Sequence, residues 1–232
     1  MIEEPPILTI NADRRRPTAE QIAAFQGVPT GFVVDAMEGA GALSMAIGPV
    51  GDGRDYPCVA AGPALTADNT PGDMLATFAA LHFVAAGDIV VAATAGFQGC
   101  AAGGDRLAGM IKNGGGAGYV TDGPVRDYQG IVEVALPIWC TGLTPASPFT
   151  TGPGRVGFEM VIGGQSVATG DMVIADRDGV VIVPFAQIDA VIERLKAVAE
   201  NEKRLDGEVA AGRKEFDHVA TMLKGPATRY IS

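Results

Sequence analysis

The 232-residue sequence is short of positive charge, cysteine and long apolar runs. Lys and Arg total 17 against 27 Asp and Glu, leaving a net charge of −10, and the one cationic cluster, Arg14-Arg15-Arg16, is flanked by Asp13 and Pro17. Such a surface repels phosphates, so no sequence-independent nucleic-acid partner is expected. Cys58, Cys100 and Cys140 lie far apart with no CxxC spacing, which argues against a disulfide framework or a zinc knuckle and for reduced thiols. Glycine, aspartate or histidine interrupts every apolar stretch well before the roughly 20 residues that a bilayer span requires. The start, MIEEPPILTI, is acidic where a signal peptide is basic. These absences together lead to the expectation of a cytoplasmic protein with no membrane partner.

Several catalytic signatures are also missing. There is no GxxxxGK[ST] and no strand-GxGxxG-helix with a following acid, so neither nucleotide fold has support. GGGAG at 114–118 reads more simply as a helix cap and tight turn. No GxSxG elbow occurs and serines are few. His82, on an apolar helix, and His218, in the tail, have no HxH or HxxE partner and suit core or surface roles better than metal ligation. Cys140 beside Trp139 reads as core.

What is present is a globular composition: 47% apolar and 19% charged residues, with 32 glycines that call for many turns or close backbone approaches. Residues 1–16 form an extended arm able to pack on a neighbouring subunit. TAEQIAAFQG carries a capping box, Thr18 with Gln21, ahead of an apolar stripe. A short helix is expected over 30–38 and a buried strand from 58. PGDMLATFAALHFVAAGD, 71–88, reads as a helix with Leu75, Phe78, Leu81 and Phe83 inward. Strand DIVVAAT, helix GDRLAGMIKNGG and a strand ending in YVTD follow, a spacing that implies a parallel pair with a crossover. From 130 to Pro184 the texture is that of short strands, IVEVALPIWCTG among them, and 185–212 is a long amphipathic helix. The chain reads as one compact α/β domain: an arm and helix over 1–29, a core over 30–184, and a helix and tail over 185–232.

The chemistry left open is that of oxygen ligands. A carboxylate at a strand-end turn, such as Asp127, can hold Mg²⁺ or Mn²⁺, because these ions need only one or two protein carboxylates when water and substrate complete the octahedron. The adjacent Arg126 offers a planar fork to a substrate carboxylate or enolate. Gly103-Gly104-Asp105 opens a helix whose first N–H groups favour an anion. Composition alone favours the simpler reading, a surface turn in which Arg126 and Asp127 merely pair with each other, and spacing does not separate the two.

The order of motifs bears on that choice. GDRL at 104–107, GxxG at 115–118, DGPVRD at 122–127 and GDMVIADRDGVVIVP at 170–184 together resemble the RraA-like family, over about residues 30–212. That family contains class II 4-hydroxy-4-methyl-2-oxoglutarate/4-carboxy-4-hydroxy-2-oxoadipate aldolases and the regulator of ribonuclease activity A. The resemblance implies a swivelling β/β/α, phosphohistidine-domain-like core in homotrimers or homohexamers with intersubunit active sites. It further implies that Arg126 contacts the pyruvyl group and Asp127 anchors Mg²⁺ (or Mn²⁺) largely through water. The pyruvyl carboxylate would be received by backbone N–H groups of Gly104, Asp105, Arg106 and Leu107, and Glu202 of an adjacent subunit, with Glu200 as the alternative, would approach the metal. Arg106 departs from the apolar residue usual in the GELL-type turn. TGD at 169–171 and Trp139-Cys140 are further, milder departures.

The implied function is a metal-dependent lyase on a 2-oxo acid, cleaving an aldol or decarboxylating oxaloacetate through pyruvate enolate, with a water positioned by Asp105 or Glu202 moving the proton. The matched motifs hold no lysine for a Schiff base. The alternative is a non-catalytic regulator of RNA processing, against which stands the long helix and its glutamate.

Overall fold

A computed structural model describes residues 6–231. In chain order the elements are β1 (Leu8–Ile10), α1 (Ala19–Ala24), α2 (Thr30–Ala36), β2 (Gly48–Pro49), β3 (Ala60–Asn69), α3 (Leu75–Ala80), β4 (Ile89–Ala93), α4 (Asp105–Asn113) and β5 (Gly118–Thr121). There follow α5 (Tyr128–Val134), β6 (Ile138–Cys140), β7 (Gly154–Val156), β8 (Met160–Ile162), β9 (Gln165–Val167), β10 (Met172–Ala175), β11 (Val180–Val183), α6 (Ile188–Ala210) and α7 (Asp217–Lys224). Instead of one compact body there are two compact units, divided after Leu195. The physical reason lies in burial: Leu195 is the last core residue of the described chain, and α7 buries none of its side chains.

The first unit is built on a mixed sheet in the order β1-β7-β3-β4-β5-β6-β2, with β10 and β11 branching from β3. Strands β3, β4, β5 and β6 run parallel. Both β4 and β5 are buried throughout, which is why their sequences are nearly continuous apolar runs rather than alternating ones. The long β3 serves three neighbours, pairing antiparallel with β10 through Ala60–Pro63, parallel with β4 from Ala64 onward and antiparallel with β7 through Ala67–Asn69. Parallel strands deliver their following loops to one edge, and ligands of open α/β sheets sit at that carboxyl edge.

The capping box forms: Thr18 Oγ1 accepts from Gln21 N at 3.2 Å, and Gln21 Oε1 accepts from Thr18 N at 2.9 Å. The GGGAG segment is a helix end, with Gly114 as C-cap and Gly115 at φ +84°. Within the chain, β1 pairs in parallel with β7, while Arg14 and Arg16 both pair with the fully buried Asp88. Two expectations about single elements are corrected. The helix over 71–88 shrinks to α3 and a following 3-10 turn, Leu81–Phe83, and its buried face is Ala76, Thr77 and Ala80. Phe78 is 38% exposed rather than inward.

The second correction is α5, which replaces the first part of the strand expected in IVEVALPIWC; only Ile138–Cys140 is β. Ile131 anchors the helix in the core, Ala135 closes it in the left-handed region, and Lys112 Nζ donates to Val134 O at 2.5 Å. β-Branched residues prefer strands only where a pleated surface receives them, and here packing against α4 prevails. In the second unit, Arg204 and Arg213 both pair with Glu208, and the Arg213 guanidinium stacks over the Phe216 ring, 5.0 Å from its centroid. Among the described residues no helix is long and apolar enough to cross a membrane.

Candidate functional site

The loops leaving β4, β5 and β6 are stitched together by backbone and buried polar contacts. Asp122, at the end of β5, is buried and accepts from Thr94 N (2.6 Å), Thr94 Oγ1 (2.9 Å) and Gly96 N (2.8 Å), joining the ends of β4 and β5. Ala102 N donates to Pro124 O at 2.6 Å and Arg126 N to Gly103 O at 3.0 Å, so the approach to α4 runs alongside the DGPVRD segment. On the other side, Val125 N donates to Gly142 O and Thr144 N to Val125 O, both at 2.9 Å. The Tyr119 hydroxyl donates to Ala102 O, and burial raises its pKa.

This stitching fixes where Arg126 and Asp127 stand. Asp127 occupies the N-cap of α5 at φ +60° and ψ +44°, a left-handed conformation that aspartate tolerates better than most residues. Arg126 Nε donates to Asp127 Oδ2 at 3.2 Å, and Arg126 Nη1 donates to Ser147 Oγ at 2.7 Å. Facing them is the start of α4. Gly104 is its N-cap, in extended backbone with no side-chain cap. The Arg106 N–H is met by Asp105 Oδ1 at 2.6 Å. The N–H groups of Gly104, Asp105 and Leu107 have no hydrogen-bond partner among the described residues, and they carry the positive end of the helix.

A cavity of about 240 Å³ lies between these segments, lined by Gly103, Gly104, Asp105, Arg106, Leu107, Arg126 and Asp127 together with Met74, Phe78, Met110 and Pro148. It therefore gathers every site residue expected in the first unit. The volume is that of a small metabolite rather than a drug-sized ligand. Glu202 and Glu200 belong to the second unit, on α6, where Glu202 is half-buried and Glu200 exposed. The carboxylate of Asp105 is turned toward α5: a Cβ on Gly130 would stand 2.5 Å from its Oδ2.

Sequence reasoning missed several contributors. Ser147, which holds Arg126, gives no signal beyond lying in a loop. Gly130 was legible in principle as a glycine inside YQGIVEV, where helix propensity disfavours it unless something approaches closely. Phe78 reads as core and Met74 and Met110 give no signal of their own, and only the fold reveals that the three wall a cavity. Cys140 is buried, as expected, and burial pushes its thiol up to about 11, well away from nucleophilic use at neutral pH.

The donor set can be tested against a metal. Asp127 Oδ2 is engaged by Arg126, Oδ1 accepts nothing among the described residues, and the side chain is 45% exposed. Among the described residues no three His, Cys, Asp or Glu side chains converge as a metal site. One open carboxylate oxygen fits Mg²⁺ or Mn²⁺ with a largely aqueous shell, and does not fit structural zinc.

Comparison with known proteins agrees with this architecture. The chain is 33% identical over 184 residues, 79% of its length and 86% of the other's, to a Halalkalibacterium halodurans protein named "Putative 4-hydroxy-4-methyl-2-oxoglutarate aldolase". The structure of Streptomyces coelicolor RraAS2, described as an unusual member of the RNase ES inhibitor RraA protein family, matches with a TM-score of 0.71 at 29% identity, covering 83% of this chain and all of that one. An uncharacterized Pseudomonas syringae protein shares the fold at a TM-score of 0.75 and 22% identity, over 87% of this chain and 93% of that one. The RraA-like family model, described as Aldolase/RraA, matches residues 30–182. With well over half its length matched, this chain belongs to the RraA-like family.

Proposed function

We propose that the protein is a divalent-metal-dependent carbon–carbon lyase acting on a 2-oxo acid, by aldol cleavage of the 4-hydroxy-4-methyl-2-oxoglutarate type, by decarboxylation of oxaloacetate, or both. The observation that carries the proposal is the meeting of Arg126, Asp127 and the unmet N–H groups of Gly104, Asp105 and Leu107 in one small cavity. The relative from Halalkalibacterium halodurans, with its aldolase name, supports the same reading. The proposal includes the swivelling β/β/α topology, and a homotrimer or homohexamer in which Glu202 of a neighbouring subunit faces Asp127.

The substrate enters with its carboxylate toward the start of α4 and its 2-oxo oxygen toward Arg126. A water oriented by Asp105 or Glu202 takes the 4-hydroxyl proton. The C3–C4 bond then breaks as the C4 carbonyl forms, and the electron pair passes into the enolate of pyruvate. The guanidinium of Arg126 faces the enolate oxygen as that charge develops, where a prepositioned donor accelerates most. Return of a proton to C3 gives pyruvate. With oxaloacetate the same bond breaks and CO₂ departs. Magnesium or manganese at Asp127, when bound, supplies Lewis-acid polarisation of the 2-oxo group. No lysine lines the cavity, in keeping with a route that needs no Schiff base.

The test is pyruvate formation from oxaloacetate and from 4-hydroxy-4-methyl-2-oxoglutarate in the presence of Mg²⁺ or Mn²⁺. Release that EDTA abolishes is expected. Absence of EDTA-sensitive release, or full activity in both Arg126→Ala and Asp127→Ala, overturns the reading. A second reading, non-catalytic binding to an RNA-processing enzyme, draws on the likeness to RraAS2; ribonuclease inhibition without pyruvate release would favour it.

A further inference from the structure

Two large apolar side chains border the cavity without joining the core. The buried face of α3 is Ala76, Thr77 and Ala80, and that of α4 is Leu107, Ala108 and Ile111. Phe78 and Met110 stand off those faces on the same two helices, 38% and 50% exposed, and both line the cavity. Helix positions of that kind ordinarily carry polar residues, and apolar surface left in water gains free energy only when something covers it. Met74 and Leu107, one turn earlier, are buried and line the cavity as well, the Phe78 N–H donating to Met74 O at 3.0 Å. Met110 lies beyond Gly104 by about 9 Å of helix axis, and helix side chains lean back toward the N-terminus. The cavity thus has a polar end, Gly104 with Arg126 and Asp127, and an apolar side that follows α4 away from it. Arg106 also borders the cavity, but it is exposed, and its guanidinium reaches water past an apolar stem.

From this we infer that Phe78 and Met110 are specificity-determining residues that receive an apolar chain on C4 of the substrate, so that the site prefers 4-alkyl-4-hydroxy-2-oxo acids with chains longer than methyl. The inference rests on the lyase reading for the direction of the substrate: with the 2-oxo end held at Arg126 and the α4 amides, C4 and its substituents lead away from the polar end. An alkyl chain there covers Phe78 and Met110 and leaves water itself. A charged substituent in the same place loses its solvation, and Met74, Phe78, Leu107 and Met110 return nothing for it. The two thioethers adjust to chains of different length. Cleavage of the C3–C4 bond then gives pyruvate, whose C3 takes up the proton that the 4-hydroxyl gives up, and a 2-oxo acid that keeps the C4 chain.

The test compares 4-hydroxy-4-methyl-2-oxoglutarate with its 4-ethyl, 4-propyl and 4-carboxymethyl counterparts. In the wild type kcat/KM should rise about 3- to 4-fold for each added methylene, and the propyl compound should surpass the carboxymethyl one. Phe78→Ser and Met110→Ser should each flatten the rise to less than about 2-fold per methylene, while Phe78→Leu and Met110→Leu keep it. Calorimetric binding of 4-methyl- and 4-propyl-2-oxoglutarate, which lack the hydroxyl and so undergo no aldol cleavage, gives the same comparison without turnover. Cleavage that depends on Arg126 but does not rise with chain length overturns the role of the wall alone. So does a changed oligomeric state of the serine variants, read by light scattering, with the rise intact, because a second copy of the chain then covers Phe78 and Met110. Chain-length-dependent binding that the serine variants lose, without cleavage of any compound, upholds the wall and overturns the lyase. A wild type with neither cleavage nor graded binding overturns both.

Discussion

Gly104 lies so close to Asp127 that a Cβ built on it would stand 2.7 Å from the carboxylate Oδ2, and 3.2 Å from Arg126 Cγ. The backbone at Gly104 is extended, a conformation open to any residue, so the glycine is required by what faces it rather than by its own dihedrals. Gly104→Ala therefore has a local consequence. The Asp127 side chain can rotate away, which keeps the fold within about 1 kcal/mol of wild type. The same rotation disturbs the oxygen offered to a metal, and pyruvate release should fall by roughly 10- to 100-fold. Unchanged release with an unchanged melting temperature would show that the orientation of Asp127 does not matter.

Arg126 makes a matching prediction of opposite emphasis. Its pair with Asp127 is partly solvated, at 38% and 45% side-chain exposure, and such pairs contribute at most about 1 kcal/mol to stability. Arg126→Lys should thus melt close to wild type. It should nonetheless lose about 100-fold or more in kcat, because one ammonium cannot replace a fork held at once by Asp127 and Ser147. Thermal melts beside steady-state rates distinguish the two effects.

The site was legible in the sequence where local chemistry decides position. GDRL announced a helix start, DIVVAAT and YVTD a pair of buried strands, and DGPVRD a turn at a strand end; all three stand where the spacing puts them. The helix α5 was not legible, because IVEVALP alternates like a strand and only its packing on α4 decides otherwise. Phe78 was misread for a related reason. An apolar stripe says that a face is covered, not whether core or a ligand covers it, and here Phe78 borders the cavity beside Arg106. Glu202 lies on α6 in the second unit, and the partner expected of it is another copy of the chain.

Asp122 supplies a stability prediction. Its carboxylate is buried and fully occupied by two backbone N–H groups and a hydroxyl from the loop after β4. Replacement by alanine leaves those donors unmet inside the protein, at a cost of about 2–4 kcal/mol. Urea unfolding should show that loss, and pyruvate release should fall with it because the loop leads to Gly104. A variant as stable as wild type would mean that water replaces the carboxylate without penalty.

Asp73 ties acid stability to the same cavity. The residue is 4% exposed, and burial alone would raise its pKa, but N–H groups of Leu75 (2.7 Å), Thr151 (2.6 Å) and Gly152 (2.9 Å) outweigh that and hold it below the usual value. A folded pKa below the unfolded one means that the unfolded chain binds the proton more readily. The stabilisation is therefore complete above the unfolded value of about 3.9, and is lost as pH falls through the folded one. Asp73→Asn should cost about 1–3 kcal/mol at pH 7, with the gap to wild type closing below about pH 4. A gap that stays constant with pH would remove the carboxylate's charge from the account. The loss should also reach the site, because Asp73 gathers Thr151 and Gly152 while Met74 N donates to Phe149 O at 2.9 Å. Those contacts hold the segment that carries Pro148 against Met74, two residues of the cavity wall.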